Sequence, residues 1–203
     1  MNENTLRYFR FDVCLQDVEP AVWRLIEVPD SYSFWDLHVA IQDAFGWLDC
    51  HLHCFVTADL DKPVGIQLDA DDDEYLPGWE IPLLDVFARP GDVCRYDYDF
   101  GDGWSHEVKL MTIASFERGV EYPRCVGGER ACPPEDCGGP PGYEHLLNVL
   151  GDQHHEEHDD MVNWLKSHAR NYYPFDPAAF DASNITFWNP EDRLQIMLGQ
   201  AQH

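Results

Sequence analysis

Three cysteines in one loop are candidate metal ligands. Cys125, Cys132 and Cys137 are separated by six and four residues in the segment CVGGERACPPEDCGG, which is rich in glycine and proline. Zinc takes four soft or borderline ligands in a tetrahedron, and such a loop lets thiolates converge on it. The spacing is wider than the usual Cys-x2-Cys knuckle, so three half-exposed thiols in a loop ordered by its prolines are the alternative. A fourth ligand has to come from elsewhere, and the candidates are His51, His53, Cys54 and His106.

A second group of reactive side chains lies in the segment YDYDFGDGWSH. Asp97, Asp99, Asp102 and His106 lie in or beside a Gly-Asp-Gly turn between two predicted strands. Carboxylates and an imidazole at one hairpin end suit general acid–base catalysis or a hydrolytic metal. The turn offers a structural alternative, because the two glycines supply positive φ and Asp is common between them. The catalytic interpretation gains weight if two further histidines reach the same face, namely His51 and His53.

The composition narrows the class of protein. The 203 residues include 38 acidic and 13 basic side chains, for a net charge of −25, and no run of basic residues. Such a surface disfavours direct binding of nucleic acid or anionic lipid and favours a solubilising role. An acidic nucleic-acid mimic, or a face for a basic protein partner, is the alternative. Phosphate-loop, nucleophile-elbow and HExxH motifs are absent.

The cellular compartment is inferred from the cysteines and the apolar segments. The seven cysteines are an odd number, and the first residues show no export signal. We therefore expect free thiols or metal ligands in a reducing cytoplasm. No apolar segment approaches the roughly 18 residues that a membrane-spanning helix needs.

Hydrophobic periodicity predicts the elements that position these residues. Alternation predicts a strand over residues 6–18, with a hairpin partner over 22–28. Ser33 can cap a helix that Gly46 ends, with apolar residues at helical spacing between them. A further strand is predicted from His51 onward, with His51 and His53 on one face and a partner over 64–68. Residues 69–74 are predicted to form a solvated acidic loop.

Residues 81 to the C-terminus are predicted to hold a central hairpin and four helices, of which the first is short. The hairpin strands are residues 93–100 and 104–113, and His106 lies on the apolar face of the second strand. Residues 115–141 show little periodicity and are predicted to be a long irregular loop. The remaining helices are predicted at 81–87 (short), 143–150, 156–168 and from Pro190 onward. No linker or repeat divides residues 1–203, so we expect a single compact α+β domain.

The chain resembles the family named after the third open reading frame of an Ri plasmid. The resemblance is carried by PAVWRLIEVP (20–29), SFWDLHVAIQDAFGW (33–47), HLHCF (51–55), YDYDFGDGWSHEV (96–108) and YPRCVGGERACPPEDCGGPPGYEHLL (122–147). Family members are often called insertion-element passenger proteins, and some are called resolvase-like, which implies an association with mobile elements. The resemblance implies a curved, mostly antiparallel sheet with packed helices, but no reaction. The chain has no serine-recombinase pattern, so the resolvase label is not carried over.

These observations lead to three functional hypotheses. The first is a cytoplasmic binding or interaction module in which zinc orders the cysteine loop, with metal ligands Cys125, Cys132, Cys137, His51 and His53. The second is a metal-dependent hydrolase or nuclease-like enzyme using His51, His53, Asp99, Asp102 and His106. The third is an acidic nucleic-acid mimic linked to mobile elements. No substrate or partner follows from the sequence.

Overall fold

The computed structural model describes residues 6–67 and 73–200. The strands are β1 (Arg7–Leu15), β2 (Trp23–Pro29), β3 (His53–Val56), β4 (Val64–Gly65), β5 (Leu76–Pro77), β6 (Val93–Tyr98), β7 (Trp104–Ser115) and β8 (Arg124–Glu129). The helices are α1 (Phe34–Phe45), α2 (Gly139–Gly151), α3 (His158–Ser167) and α4 (Pro190–Gln200). Short 3-10 turns lie at Leu83–Asp85 and Ala182–Asn184.

The eight strands form one sheet in the order β5-β4-β3-β6-β7-β1-β2-β8. The hairpins β1–β2 and β6–β7 pair antiparallel, and β1 also pairs with β7, which joins them at the centre of the sheet. Only the short β4–β5 pair is parallel among the described strands. The predicted α+β class with a mostly antiparallel sheet is therefore confirmed.

Helix α1 covers one face of the sheet because its sequence contains both end signals and an apolar face. Ser33 accepts a hydrogen bond from the backbone N–H of Asp36, and the Asp36 carboxylate accepts one from the N–H of Ser33. This capping box satisfies two donors at the helix start. Gly46 ends the helix at φ +84°, a left-handed conformation that glycine adopts without strain.

The core lies between α1 and the inward face of the central strands. Alternate residues of β7 point into it, and Trp104, His106, Val108 and Leu110 are each fully buried, as the alternation predicts. Alternate residues of β1 pack beside them, and the rings of Phe9 and Phe11 on that strand lie edge to face with centroids 5.8 Å apart. Burial of this apolar area is the main source of stability. The largest buried side chains are Trp104, Tyr96, Tyr98, Phe9, Phe11, Phe34, Phe55 and Phe87.

The structure corrects the prediction for residues 115–141. Part of this segment is the edge strand β8, which pairs with β2, and α2 begins at Gly139 rather than at Tyr143. The sequence does not predict this strand because two of its six residues are glycines, Gly127 and Gly128, and the others show no apolar alternation. Tertiary pairing with β2 supplies the hydrogen bonds that local propensity does not predict. A loop of nine residues, 130–138, remains between β8 and α2.

The other elements agree with the prediction in part. The helix predicted at 81–87 is a single 3-10 turn, and the one at 156–168 is α3, two residues shorter at its start. Strand β4 pairs with β3 as expected but spans two residues. Leu68 of the predicted partner strand and residues 69–72 of the predicted acidic loop lie outside the described residues. None of the helices in the described ranges is long and apolar enough to cross a membrane.

Candidate functional site: a histidine among three carboxylates

His51 lies in the connection between α1 and β3. After Gly46 the chain passes over the sheet, and the Tyr98 hydroxyl accepts a hydrogen bond from the backbone N–H of Cys50 at 3.2 Å. The His51 ring packs edge-on against the Tyr98 ring, with centroids 5.8 Å apart. The imidazole is therefore held by a core residue, while 28% of its side chain stays exposed.

Glu135 is delivered to the same place by the 130–138 loop. Its side chain is fully buried, which is costly for a carboxylate unless its oxygens find partners. One oxygen, Oε1, accepts hydrogen bonds from the backbone N–H of Leu48 at 2.7 Å and from the Tyr98 hydroxyl at 3.0 Å. The other, Oε2, has no hydrogen-bond partner among the described residues. It lies 3.8 Å from Nε2 of His51.

Two aspartates repeat this arrangement. Asp99 Oδ1 accepts hydrogen bonds from backbone N–H groups of its own turn, and its Oδ2 lies 3.5 Å from Nε2 of His51. Asp136 Oδ2 lies 3.5 Å from Nε2 of His168, and its Oδ1 lies 3.2 Å from Nε2 of His51. Each of the three carboxylates thus keeps one oxygen for the protein and turns the other toward His51.

Nε2 of His51 makes no hydrogen bond with any of these oxygens. The three distances fall within ion-pair range, but the atom is buried and lacks hydrogen-bond geometry to any partner among the described residues. An imidazole nitrogen that faces several carboxylate oxygens without hydrogen bonding to any of them is an arrangement that suits a cation between them.

Two overlapping groups of side chains satisfy the spacing of metal ligands. One contains Cys50, His51 and Glu135, and the other contains His51, Asp99 and Asp136, with ligand atoms within 4.8 Å of one another in each group. Imidazole, carboxylate and thiolate together are ligands that zinc accepts. Glu135 also contacts Leu48 and Tyr98, and Asp136 contacts His168, and these contacts would orient the two carboxylates as ligands.

Burial shapes the electrostatics of the group. It raises the pKa of Glu135, and the hydrogen bonds from Leu48 and Tyr98 partly oppose that rise. It also raises the pKa of the Cys50 thiol, to which the charge on Glu135 adds. Both pKa values rise because burial disfavours the negatively charged form of each group. A bound cation would stabilise those charged forms.

A cleft of about 890 Å³ opens beside His51. Its walls come from the end of α1, from the 130–138 loop, from residues 170–188 and from α4. Trp35, Phe175, Phe180 and Trp188 supply aromatic surface, and three arginines line it as well: Arg24, Arg170 and Arg193. A cleft of this size fits a small organic molecule.

The cysteines predicted as a metal site lie on a strand and in the loop that follows it. Cys125 lies on β8 with its Sγ 3.2 Å from the carbonyl oxygen of Gly127, while Cys132 and Cys137 lie in the 130–138 loop. Burial raises the pKa of all three thiols, that of Cys137 to about 12. Among the described residues, neither metal-ligand group contains any of them. Zinc at this triad stays a prediction without geometric support.

The other predicted site residues are also distributed. His53 is buried and stacks on His38 with ring centroids 3.4 Å apart, and His106 is fully buried beside Phe45, Trp47 and Tyr96. Neither belongs to a metal-ligand group in the described ranges. Asp102 accepts a hydrogen bond from the backbone N–H of Gly138 at 3.0 Å, so it ties the hairpin turn to the loop.

The sequence therefore identified two members of the group, His51 and Asp99. Glu135, Asp136 and Cys50 were missed. The first two lie inside the CPPEDC segment, between the cysteines that were predicted as ligands. Asp136 has φ +56°, and aspartate is common at such turn positions, so no local sequence signal distinguishes these carboxylates from ordinary turn residues.

Comparison with known proteins agrees with the fold and leaves the chemistry open. The chain is 36% identical over 162 residues to the uncharacterized protein y4hQ of Sinorhizobium fredii (strain NBRC 101917 / NGR234), an alignment that covers 78% of this chain and 80% of that protein. The crystal structure of MM3350, a protein of unknown function from Methanosarcina mazei Go1, superposes with a TM-score of 0.79 at 37% identity. That match covers 91% of this chain and 100% of the other. The model of the plasmid pRiA4b ORF-3-like protein family matches residues 7–184, and the chain belongs to that family.

Proposed function

We propose that this protein is a metal-binding module in which a divalent ion joins the 130–138 loop to His51 and Asp99. The observation that carries the proposal is Oε2 of Glu135, a fully buried carboxylate oxygen without a hydrogen-bond partner among the described residues that faces the imidazole of His51. A lone buried carboxylate oxygen is costly, and a bound cation removes that cost.

Zinc is the ion that the donor set favours. One imidazole nitrogen, carboxylate oxygens and the adjacent thiol of Cys50 are ligands that zinc binds in a four-coordinate site. Magnesium and calcium prefer oxygen ligands alone, so an imidazole and a thiol count against them. The zinc-ordered loop predicted from the sequence is thus retained in the proposal, with carboxylates of that loop as ligands in place of its cysteines.

Metal content measured on protein purified without a tag tests this proposal. We expect about one zinc per chain by elemental analysis, and loss of the metal in His51→Ala and Glu135→Gln. Glu144→Gln is the matched control, because Glu144 is exposed on α2. Cys132→Ser and Cys137→Ser are expected to keep the metal. Loss of zinc in the cysteine variants with retention in Glu135→Gln would contradict the proposed ligand set and support the cysteine triad.

Metal-dependent hydrolysis is the second candidate function. It is favoured by the exposure of the group, since 57% of the Asp136 side chain is accessible and His51 lines the cleft. A metal with protein ligands on one side only keeps a position for water, and zinc lowers the pKa of that water. Hydrolysis of bis(4-nitrophenyl) phosphate by the zinc-loaded protein, absent in Glu135→Gln, would support the enzyme. If the zinc-loaded protein lacks this activity, the enzyme hypothesis is rejected and the metal-binding module remains the proposed function.

A further inference from the structure

Two arginines in the cleft have no carboxylate partner. Arg24 is 3% exposed, and Arg170 is exposed at the surface. Neither forms an ion pair within 4.0 Å among the described residues, whereas the third arginine of the cleft, Arg193, pairs with Asp43 and Asp49. This is unusual in a chain with 38 acidic and 13 basic residues, because a carboxylate is the commonest available partner.

The contacts of Arg24 balance its charge incompletely. Its guanidinium donates to four backbone carbonyls, of Trp23, Ala44, Glu129 and Arg130, at 2.8–3.0 Å. The rings of Phe45 and Phe180 lie on it at 5.0 and 4.4 Å. Carbonyl dipoles and aromatic faces carry partial negative charge only. Burial accordingly lowers the pKa of Arg24, as expected for a cation without a counter-ion.

Arg170 brings a second positive charge to the same end of α1. Its guanidinium packs over Gly46, where an added Cβ would lie 3.2 Å from Nη2, and Arg24 donates to the carbonyl of Ala44 two residues earlier. None of the acidic residues of the cleft forms an ion pair with Arg24 or Arg170 among the described residues. Asp43 and Asp49 are engaged by Arg193, and Asp176 is exposed and accepts from the backbone N–H of Ala178.

We propose that the cleft binds a small organic anion whose carboxylate or phosphate group lies against the exposed Arg170, with the buried Arg24 adding positive charge from the cleft wall, and whose apolar body packs on the aromatic walls. Guanidinium groups bind both kinds of anion by charge-assisted hydrogen bonds. The cleft volume of about 890 Å³ is large for an inorganic ion alone, and the exposed ring of Trp188 offers a stacking surface. The inference goes beyond the metal-binding proposal and does not depend on it.

Calorimetric titration with three related probes tests the inference. Phenyl phosphate and phenylacetate carry the two candidate anions on the same ring, and phenol is the neutral control. We expect at least one anion to bind about tenfold more tightly than phenol, since only the anions can form charge-assisted hydrogen bonds with a guanidinium group. The stronger of the two identifies a phosphate or a carboxylate ligand.

Arg170→Ala is the informative variant because the side chain is exposed and forms no ion pair among the described residues, so we expect the fold to be kept. We expect it to weaken the anion about tenfold and leave phenol unchanged. Arg89→Ala is the matched control, since 85% of the Arg89 side chain is exposed outside the cleft. Equal binding of phenol and the anions, no binding of any probe, or equal effects of the two variants would overturn the inference.

Titrations in EDTA and after zinc loading separate this inference from the proposed function. Anion binding in EDTA by a protein that takes up no zinc would uphold the cleft ligand and contradict the metal site. Zinc uptake without anion binding would uphold the metal site and contradict the cleft ligand. Anion binding that appears only with zinc and is insensitive to Arg170→Ala would assign the anion to the metal and overturn the role of the arginines.

Discussion

Oε2 of Glu135 and Nε2 of His51 face each other at 3.8 Å, and neither atom has a hydrogen-bond partner among the described residues. They come from segments more than 80 residues apart in the chain. The other Glu135 oxygen is held by Leu48 and Tyr98, so the free oxygen has a fixed direction. A buried carboxylate whose free oxygen is held in one direction without a hydrogen-bond partner is expected at a metal-ligand position. The rest of the fold offsets the free energy that this burial costs.

Glu135→Gln should separate folding from metal binding. The amide keeps the shape and removes the buried charge, so in EDTA we expect the free energy of unfolding to stay equal or rise by up to about 1 kcal/mol. Zinc at about 100 times its dissociation constant should stabilise the native protein by about 2.7 kcal/mol. The variant should gain less than about 1 kcal/mol under the same conditions. Urea unfolding with and without zinc measures both, and an equal gain in the two proteins would contradict the role of Glu135.

Gly139→Ala should damage both the fold and the site. A Cβ at this position would lie 2.2 Å from the carbonyl oxygen of Asp102, and the backbone there has φ +68°. The hairpin turn and the 130–138 loop must then move apart, which we expect to cost about 2 kcal/mol or more and to weaken zinc binding. The control is Gly151→Ala at the end of α2, where nothing lies within 4 Å of an added Cβ. Similar unfolding free energies for the two variants would refute this account.

Cys50 should be the fastest thiol to react and should be protected by metal. It is the exposed cysteine among the seven, whereas Cys54 and Cys94 are buried. Mass spectrometry after brief treatment with iodoacetamide at pH 8 should find Cys50 modified first, although burial of its sulfur raises its pKa and slows the reaction. Zinc should slow this modification about tenfold if the thiolate is a ligand. Unchanged labelling would restrict the ligands to His51 and the carboxylates.

The stability of the protein should fall in mild acid partly through His106. Burial lowers the pKa of the folded-state imidazole to about 3, against a hydrogen bond with the carbonyl of Tyr96 that raises it. The unfolded chain takes up a proton near pH 6.5, so this contribution is complete above that pH. It is lost as the pH falls from about 6.5 toward 3, by at most about 1.4 kcal/mol per pH unit.

Urea unfolding in EDTA at pH 7.5 and 5.5 measures this dependence. His106→Phe should reduce the difference between the two pH values by about 1 kcal/mol, because the variant has no proton to take up on unfolding. The neighbouring rings of Phe45, Trp47 and Tyr96 are uncharged in this range. His154→Phe, at an exposed position before α3, is the control. An unaltered pH dependence in His106→Phe would show that the pKa of His106 is not lowered in the folded state.

Local signals in the sequence determined the elements whose patterns are strong. Period-two alternation located β1, β6 and β7 and placed His106 on the buried face, and Ser33 and Gly46 located both ends of α1. These features depend on neighbours within a few residues, so they are visible in one dimension. The α+β class followed from them. His51 and Asp99 were found because histidine beside a strand and aspartate beside a glycine turn are chemically conspicuous.

The tertiary structure decided which of these residues meet. Strand β8 forms because its backbone hydrogen-bonds to β2. The local propensities of Gly127 and Gly128 do not predict a strand there. His53 and His106 follow His51 and Asp102 closely in sequence, yet alternation and packing turn their rings into the core. Asp102 and Gly138 join the hairpin to the loop, and that contact places Glu135 and Asp136 against His51. Spacing along the chain carries no information on such contacts, because the free energy that selects them is the burial and pairing of segments distant in sequence.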